Sequence, residues 1–270
     1  MNRIVLPGGR LTSQLGFGCG VLVGGLSHRS SCRLIEMALK LGITHFDVAP
    51  AYGMGLAENV LGDVVGNDPR VTITTKVGIP RPVYNARQDL VRLLVRGPLR
   101  QFPAFKKWLL RARTQGAADV LPPPFCFNEI SIRRALEESL LRLRRERLDV
   151  YLLHEPSPEA DLIALQPVMQ SLKTAGLIAA FGVGSVTPCQ AHVDFGDMLQ
   201  GPWQLPMQLN VPDDQFRAHF SVIRGDDVVS PGLSVARDRL HRAMASKPND
   251  LILVSAGSPA RLKSLVQGVA

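Results

Sequence analysis

The 270-residue chain has only four cysteines, Cys19, Cys32, Cys126 and Cys189, and no two of them form a Cys-x-x-Cys pair. Their separation gives neither a zinc knuckle nor a disulfide framework, and no metal ligand set is expected. They read as reduced, partly buried small side chains. Long apolar runs are missing too. None approaches the roughly 20 residues that a membrane-spanning helix needs, so no stable membrane association is expected. At the amino end, Pro7, Gly8 and Gly9 stand where a signal peptide carries its apolar segment. A cytoplasmic location is expected. A further absence concerns the glycines. Gly16, Gly18, Gly20, Gly24 and Gly25 fall out of register with G-x-G-x-x-G, because position 21 is Val. That disfavours an open doubly wound sheet.

Apolar material is plentiful. The hydrophobic fraction is 46% and the mean hydropathy +0.09, which suits a large core rather than disorder. The net charge is +8 and the pI near 9.7. That charge is spread along the chain without a nucleic-acid motif, so no nucleic-acid partner is expected. An enzyme of phosphorylated ligands has the same bulk charge.

Strand, loop and helix repeat along the chain. Residues 3–15 read as a hairpin around Pro7-Gly8-Gly9, and 15–19 as a short buried strand. Further strands are expected at 44–49, 71–77, 148–153, 178–183, 204–209, 218–223 and 251–255. Helices are expected at 30–41, 58–65, 131–145, 161–175, 187–198, 233–245 and 259–266. Eight core strands alternating with helices imply a parallel sheet closed into a (β/α)₈ barrel. The expectation is a single barrel domain over 1–270, with a helical insertion or lid over 79–128 after the third core strand.

Functional groups of such barrels sit at the carboxyl ends of the strands. Asp47, Tyr52, Lys76 and His154 stand at or just past such ends. Each has an ordinary alternative as a cap, a rim aromatic, a solvated cation or a core histidine. Together their chemistry is coherent. An ammonium beside a phenol stabilises the phenolate, a carboxylate holds the ammonium, and a histidine fixes a carbonyl oxygen within reach of the hydroxyl. Such a set serves hydride transfer, where a nascent alkoxide needs a proton.

Two stretches carry a resemblance: Phe46-Asp47-Val48-Ala49-Pro50-Ala51-Tyr52-Gly53 and Glu58-Asn59-Val60-Leu61-Gly62. Thr74-Thr75-Lys76-Val77, Leu148-Asp149-Val150-Tyr151-Leu152-Leu153-His154 and Gly182-Val183-Gly184-Ser185 support it. With these motifs the chain resembles the aldo-keto reductases over roughly residues 3–78 and 129–210, and loosely over 250–266. The resemblance implies an NADPH-dependent reductase of an aldehyde or ketone, with a tetrad of Asp47, Tyr52, Lys76 and His154. It also implies that Ser185 and Gln208 meet the nicotinamide carboxamide. The adenosine phosphate falls at Ser255, Gly257 and Ser258, with Arg261 on the 2′-phosphate. Small residues leading into a helix amino terminus suit an anion. A plain strand-to-helix turn is the other reading of that segment.

Two departures from the family pattern stand out. Residues 81–120 carry nine arginines and lysines, from Arg81 to Arg113, against Asp89 and Asp119. They read as a lid with a solvated basic face, or as a docking surface for an acidic partner or a phosphate-bearing substrate. Second, Pro212 and the short interval from Asn210 to Ala218 leave little room for a sixth helix. A more open site with weaker cofactor retention is expected, with Phe220 or Ser221 beside the nicotinamide. The reductase reading stands beside two others: a redox-neutral epimerase using the same tetrad and cofactor, and a non-catalytic nucleotide-binding subunit.

Overall fold

A computed structural model describes residues 1–23, 26–82, 127–157, 160–204, 209–224 and 231–268. Strands β1 (Arg3–Val5) and β2 (Leu11–Ser13) pair antiparallel, with Ile4 opposite Thr12. Gly8 and Gly9 make the turn at φ +91° and +85°, where glycine pays no Cβ penalty.

Eight further strands follow: β3 (Leu15–Gly18), β4 (His45–Asp47), β5 (Thr72–Val77), β6 (Leu148–His154), β7 (Ile178–Gly184), β8 (Met198–Pro202), β9 (Phe216–Phe220) and β10 (Leu251–Val254). All pair parallel and close into a barrel in the order β10-β3-β4-β5-β6-β7-β8-β9. The described helices are α1 (His28–Lys40), α2 (Ala57–Val65), α3 (Glu129–Leu143), α4 (Leu162–Thr174), α5 (Gln190–Val193), α6 (Leu233–Ser246) and α7 (Pro259–Val266). The expected (β/α)₈ barrel is therefore the fold observed.

Alternation along the strands sorts the side chains. In β6, Tyr151 and Leu153 face outward into a cluster with Phe17, Phe46, Leu61 and Leu136. Val150 and Leu152 face inward with Ala180, Met198, Ala218 and Leu251. Ile4 and Leu6 of the hairpin join that inner cluster, and Gly8 lies against Ala179 near the start of β7. The hairpin thus closes the amino-terminal end of the barrel. The carboxyl end is left to polar side chains.

Caps match the local sequence. Ser27 accepts from the Ser30 N–H at the head of α1, Asn128 from Ser131 at α3, and Ser258 from Arg261 at α7. Pro259 occupies the first turn of α7, where its missing N–H costs nothing.

Three expected elements differ in the structure. The strand expected at 204–209 is instead β8, six residues earlier, although Gly201 and Pro202 speak against a strand by propensity. Burial on both faces of a parallel strand outweighs propensity, and Pro202 stands at the strand's last position. The helix expected over 187–198 shrinks to the four residues of α5. Gly196 turns left-handed at φ +76°, and the Asp197 carboxylate accepts the Phe181 N–H and pairs with Lys173 at 2.8 Å. β9 begins two residues before the expected position. Among the described residues, no helix lies between β8 and β9.

Of the expected insertion, residues 83–126 lie outside the described residues, and the docking-surface expectation for its basic side chains falls there. Arg81 is described: it pairs with the fully buried Glu58 and donates to the Gly55 carbonyl. Its charge is used inside the fold. Cys19 is buried and Cys32 and Cys189 are half-buried, all three as thiols, while Cys126 lies outside the described residues. Among the described residues, no helix is long and apolar enough to cross a membrane.

One glycine sets the barrel's tightest approach. A Cβ on Gly182 would fall 1.8 Å from the Met198 carbonyl oxygen. Gly182→Ala should push β7 from β8 and cost about 1–3 kcal/mol or more. A thermal midpoint equal to that of the unaltered protein would contradict this packing.

Candidate active site

The polar side chains at the carboxyl end converge. Asp47 is the last residue of β4, Lys76 lies next to last in β5, and His154 ends β6. Tyr52 starts a 3₁₀ turn, Tyr52–Gly55, in the loop after β4. Gly53 and Met54 are left-handed there, at φ +58° and +57°. A Cβ on Gly53 would lie 2.4 Å from the Leu22 carbonyl oxygen, so this turn needs glycine.

Lys76 is the hub. Its Nζ donates to Asp47 Oδ1 at 2.6 Å, to the Val48 carbonyl at 3.2 Å and to the Tyr52 hydroxyl at 3.3 Å. The ammonium also lies 4.9 Å from the Tyr52 ring centre. The His154 ring meets Tyr52 edge-on, with centroids 6.0 Å apart. Lys76 and Asp47 are 2% and 4% exposed, so the pair stands almost free of solvent screening. The four residues expected from the sequence are all in one place.

Burial and charge compete at each group. Burial works to lower the Lys76 pKa, but the Asp47 carboxylate and Tyr52 outweigh it, and the ammonium is held above its usual range. At Tyr52 the balance differs from the expectation. The ammonium does pull the phenol down, yet burial, with help from Asp47, pushes it up by more. Tyr52 therefore stays protonated, a donor rather than a resting phenolate. Burial, with Lys76 behind it, drives His154 down to about 3, so its imidazole is neutral at physiological pH.

His45 lies in the same strand as Asp47, two residues earlier and fully buried. Its ring nitrogens meet Thr72 Oγ1 at 2.9 Å and Thr74 Oγ1 at 3.2 Å. Burial and then Lys76 lower it to about 3 as well. Both histidines take up protons near 6.5 once unfolded. Below that pH the unfolded chain binds more protons than the folded one, so stability is lost as pH falls from about 6.5 towards about 3. Urea midpoints should drop between about pH 7 and about pH 4; a constant midpoint would exclude two neutral buried histidines.

A cleft of about 450 Å³ opens over this cluster and runs to the β10–α7 turn. Of the residues expected to hold a cofactor, Ser185, Ser255, Gly257 and Arg261 line it, as do Phe220 and Ser221. Ser258 caps α7 behind the wall, and its hydroxyl accepts the Arg261 N–H at 3.2 Å. Gln208 lies outside the described residues.

Two wall residues were not singled out from the sequence. Gln200 in β8 lines the cleft, 3% exposed, and its Oε1 has no hydrogen-bond partner among the described residues. The strand shift hid it: with β8 placed six residues early, Gln200 takes an inward position at the barrel mouth. Glu155 follows His154 and also lines the cleft. Its place just past a strand end was the available signal.

Known proteins can be set beside this geometry. The family model described as "Aldo/keto reductase family" matches residues 14–193. A D-threo-aldose 1-dehydrogenase from a Pseudomonas species is 31% identical over 180 residues, 64% of this chain and 50% of that protein. An aldo-keto reductase of Bacillus subtilis is 27% identical over 180 residues, 64% of this chain and 43% of that one. The chain thus spans about half the length of these curated relatives. Among solved structures, an aldo-keto reductase from Bacillus halodurans in its holo form superposes with a TM-score of 0.68 at 19% identity, over 100% of this chain and 91% of that one. An aldo-keto reductase from Klebsiella pneumoniae in complex with NADPH gives 0.64 at 17%, over 98% and 89%. The fold and its polar mouth define a closed parallel (β/α)₈ barrel with an Asp–Lys–Tyr–His cluster at its carboxyl end. The chain belongs to the aldo/keto reductase family.

Proposed function

We propose that the protein is an NADP(H)-dependent oxidoreductase that reduces an aldehyde or ketone, with Tyr52 as the proton donor. The observation that carries this reading is Lys76 Nζ, 2.6 Å from Asp47 and 3.3 Å from the Tyr52 hydroxyl, at the floor of the cleft. The wall suits a nicotinamide. Gln200 Oε1 is a buried acceptor awaiting a donor, Ser185 stands beside it, and small residues lead into the capped amino end of α7. A reduced nicotinamide, when bound, supplies a hydride to the carbonyl carbon. The protein's own part is the oxygen. His154, neutral, has one N–H with which to orient it, and Tyr52 transfers the hydroxyl proton to it. The Lys76 ammonium stabilises the phenolate left behind, and Asp47 keeps that ammonium in place. Burial keeps the Tyr52 hydroxyl protonated before the reaction, and the Lys76 ammonium opposes that rise in pKa, which makes the proton easier to give up.

Related proteins suggest where to begin with substrates. One relative is named for a D-threo-aldose and one solved structure, from Gluconobacter oxydans, as a glycerol dehydrogenase. Small hydroxylated aldehydes and their alcohols are the first class to screen.

Arg261, exposed at the rim, is assigned to the 2′-phosphate. Fluorescence titration should show NADPH binding more tightly than NADH, and Arg261→Ala should reduce that preference by about tenfold. Equal binding of the two nucleotides by the unaltered protein would remove Arg261 from this role. Binding of neither would overturn the cofactor reading.

A further inference from the structure

The cleft wall between His154 and β8 is ordered by one carboxylate. Glu155 is left-handed at φ +51°, a conformation that a non-glycine residue adopts at a cost. Its N–H extends the β6–β7 ladder by donating to the Gly184 carbonyl at 2.9 Å. Its carboxylate then reaches the next turn. It accepts the Val186 N–H through both oxygens, at 2.9 and 3.1 Å, and the Ser185 hydroxyl at 2.8 Å.

Ser185 is fully committed as a donor by that bond. A serine hydroxyl has one proton and two lone pairs. The proton goes to Glu155, and the Thr187 N–H takes one lone pair at 3.1 Å. What remains for the cleft is one lone pair. Beside it, the Ser185 N–H donates to the Gln200 carbonyl at 2.9 Å, which ties the two residues together across β7 and β8. The Gln200 side chain adds the unpartnered Oε1, and Gly184 leaves open the space between that oxygen and Lys76.

We propose that Glu155 is a positioning residue that locks Ser185 as a hydrogen-bond acceptor, so that Ser185 and Gln200 Oε1 together select a ligand's primary amide over a ketone of the same shape. The inference rests on the nicotinamide reading above and deepens it. A carboxamide presents an N–H₂ group to two acceptors. A methyl ketone in its place presents no donor and leaves buried acceptors unpaired. Glu155 makes no contact with the reacting atoms in this account. It acts through the hydroxyl that it holds.

The test uses calorimetric dissociation constants of the full chain for three oxidised nucleotides: NADP⁺, its thionicotinamide analogue and its 3-acetylpyridine analogue. The thionicotinamide keeps the N–H₂ group and the acetylpyridine lacks it. The unaltered protein should bind the first two alike and the third about tenfold more weakly. In Glu155→Gln, the new amide oxygen serves the Val186 N–H and its nitrogen donates to Ser185. The serine proton is then released to the cleft, and the acetylpyridine penalty should shrink several-fold. Ser185→Ala, which keeps the backbone turn and the glutamate, should also shrink it. A structural role for Glu155 would weaken all three nucleotides together and leave the ratio unchanged. That result, or an unaltered protein that binds the acetylpyridine analogue as well as NADP⁺, overturns the proposal. Failure of the unaltered protein to bind any of the three overturns the nicotinamide reading itself.

Discussion

Tyr52→Phe is expected to lower turnover of a carbonyl substrate by about 10²- to 10⁴-fold while leaving NADPH affinity nearly unchanged. The range is what a positioned general acid contributes. In the proposed reaction the Tyr52 hydroxyl gives its proton to the nascent alkoxide. Lys76 is held charged by Asp47, and His154 is neutral. Removing one oxygen leaves the ring against His154 and the ammonium near the ring face, so the cleft keeps its shape. Steady-state kinetics with NADPH in excess, together with a binding titration, separate the two effects. Full turnover in the variant would overturn the assignment of Tyr52. In the unaltered protein, burial holds Tyr52 above its ordinary pKa. The reduction rate should therefore show no loss from Tyr52 deprotonation until the pH passes about 10.

Lys76→Met should be the most damaging single change in the barrel. It leaves the Asp47 carboxylate 4% exposed and without its cation. An uncompensated buried charge of this kind costs about 3–5 kcal/mol. Tyr52 loses the charge that stabilises its phenolate at the same time, so turnover should fall along with the melting temperature. The double variant Asp47→Asn with Lys76→Met separates the two losses. Replacing both charges by neutral groups removes the unpaired carboxylate, so most of the stability should return. Turnover should not return, because the ammonium is still missing. A Lys76→Met protein that melts and turns over like the unaltered one would show that the pair contributes to neither.

The four polar groups at the barrel mouth were legible because each sits in a short, chemically specific motif at or just past a strand end. Phe46-Asp47-Val48 and Thr74-Thr75-Lys76 read as strands on their own. Alternation then places Asp47 and Lys76 on the inner face, as the 2.6 Å contact shows. His154 ends a run that is buried throughout and reads as a strand. Gln200 was not legible. Met198-Leu199-Gln200-Gly201-Pro202 carries a glycine and a proline, so local propensity does not mark it as a strand. Only pairing with β7 and β9 makes those five residues a strand. Glu155 was hidden for a different reason, because its role comes from hydrogen bonds to Ser185 and Val186, some 30 residues away in the chain.

Periodicity, strand count and a handful of residue types at strand ends were enough, in the sequence alone, for the parallel barrel, the location of its mouth and the four polar groups there. These are local properties, since alternation and helical stripes follow from the backbone repeat within each segment. The protonation of those groups, the exact span of β8 and the wiring of Glu155 to Ser185 were decided only by tertiary structure. Each depends on how much solvent is excluded and on which distant atoms come within hydrogen-bond reach. Tyr52 shows the division most directly: its neighbour Lys76 was foreseeable, but burial outweighs that neighbour, and the extent of burial exists only once the barrel has closed.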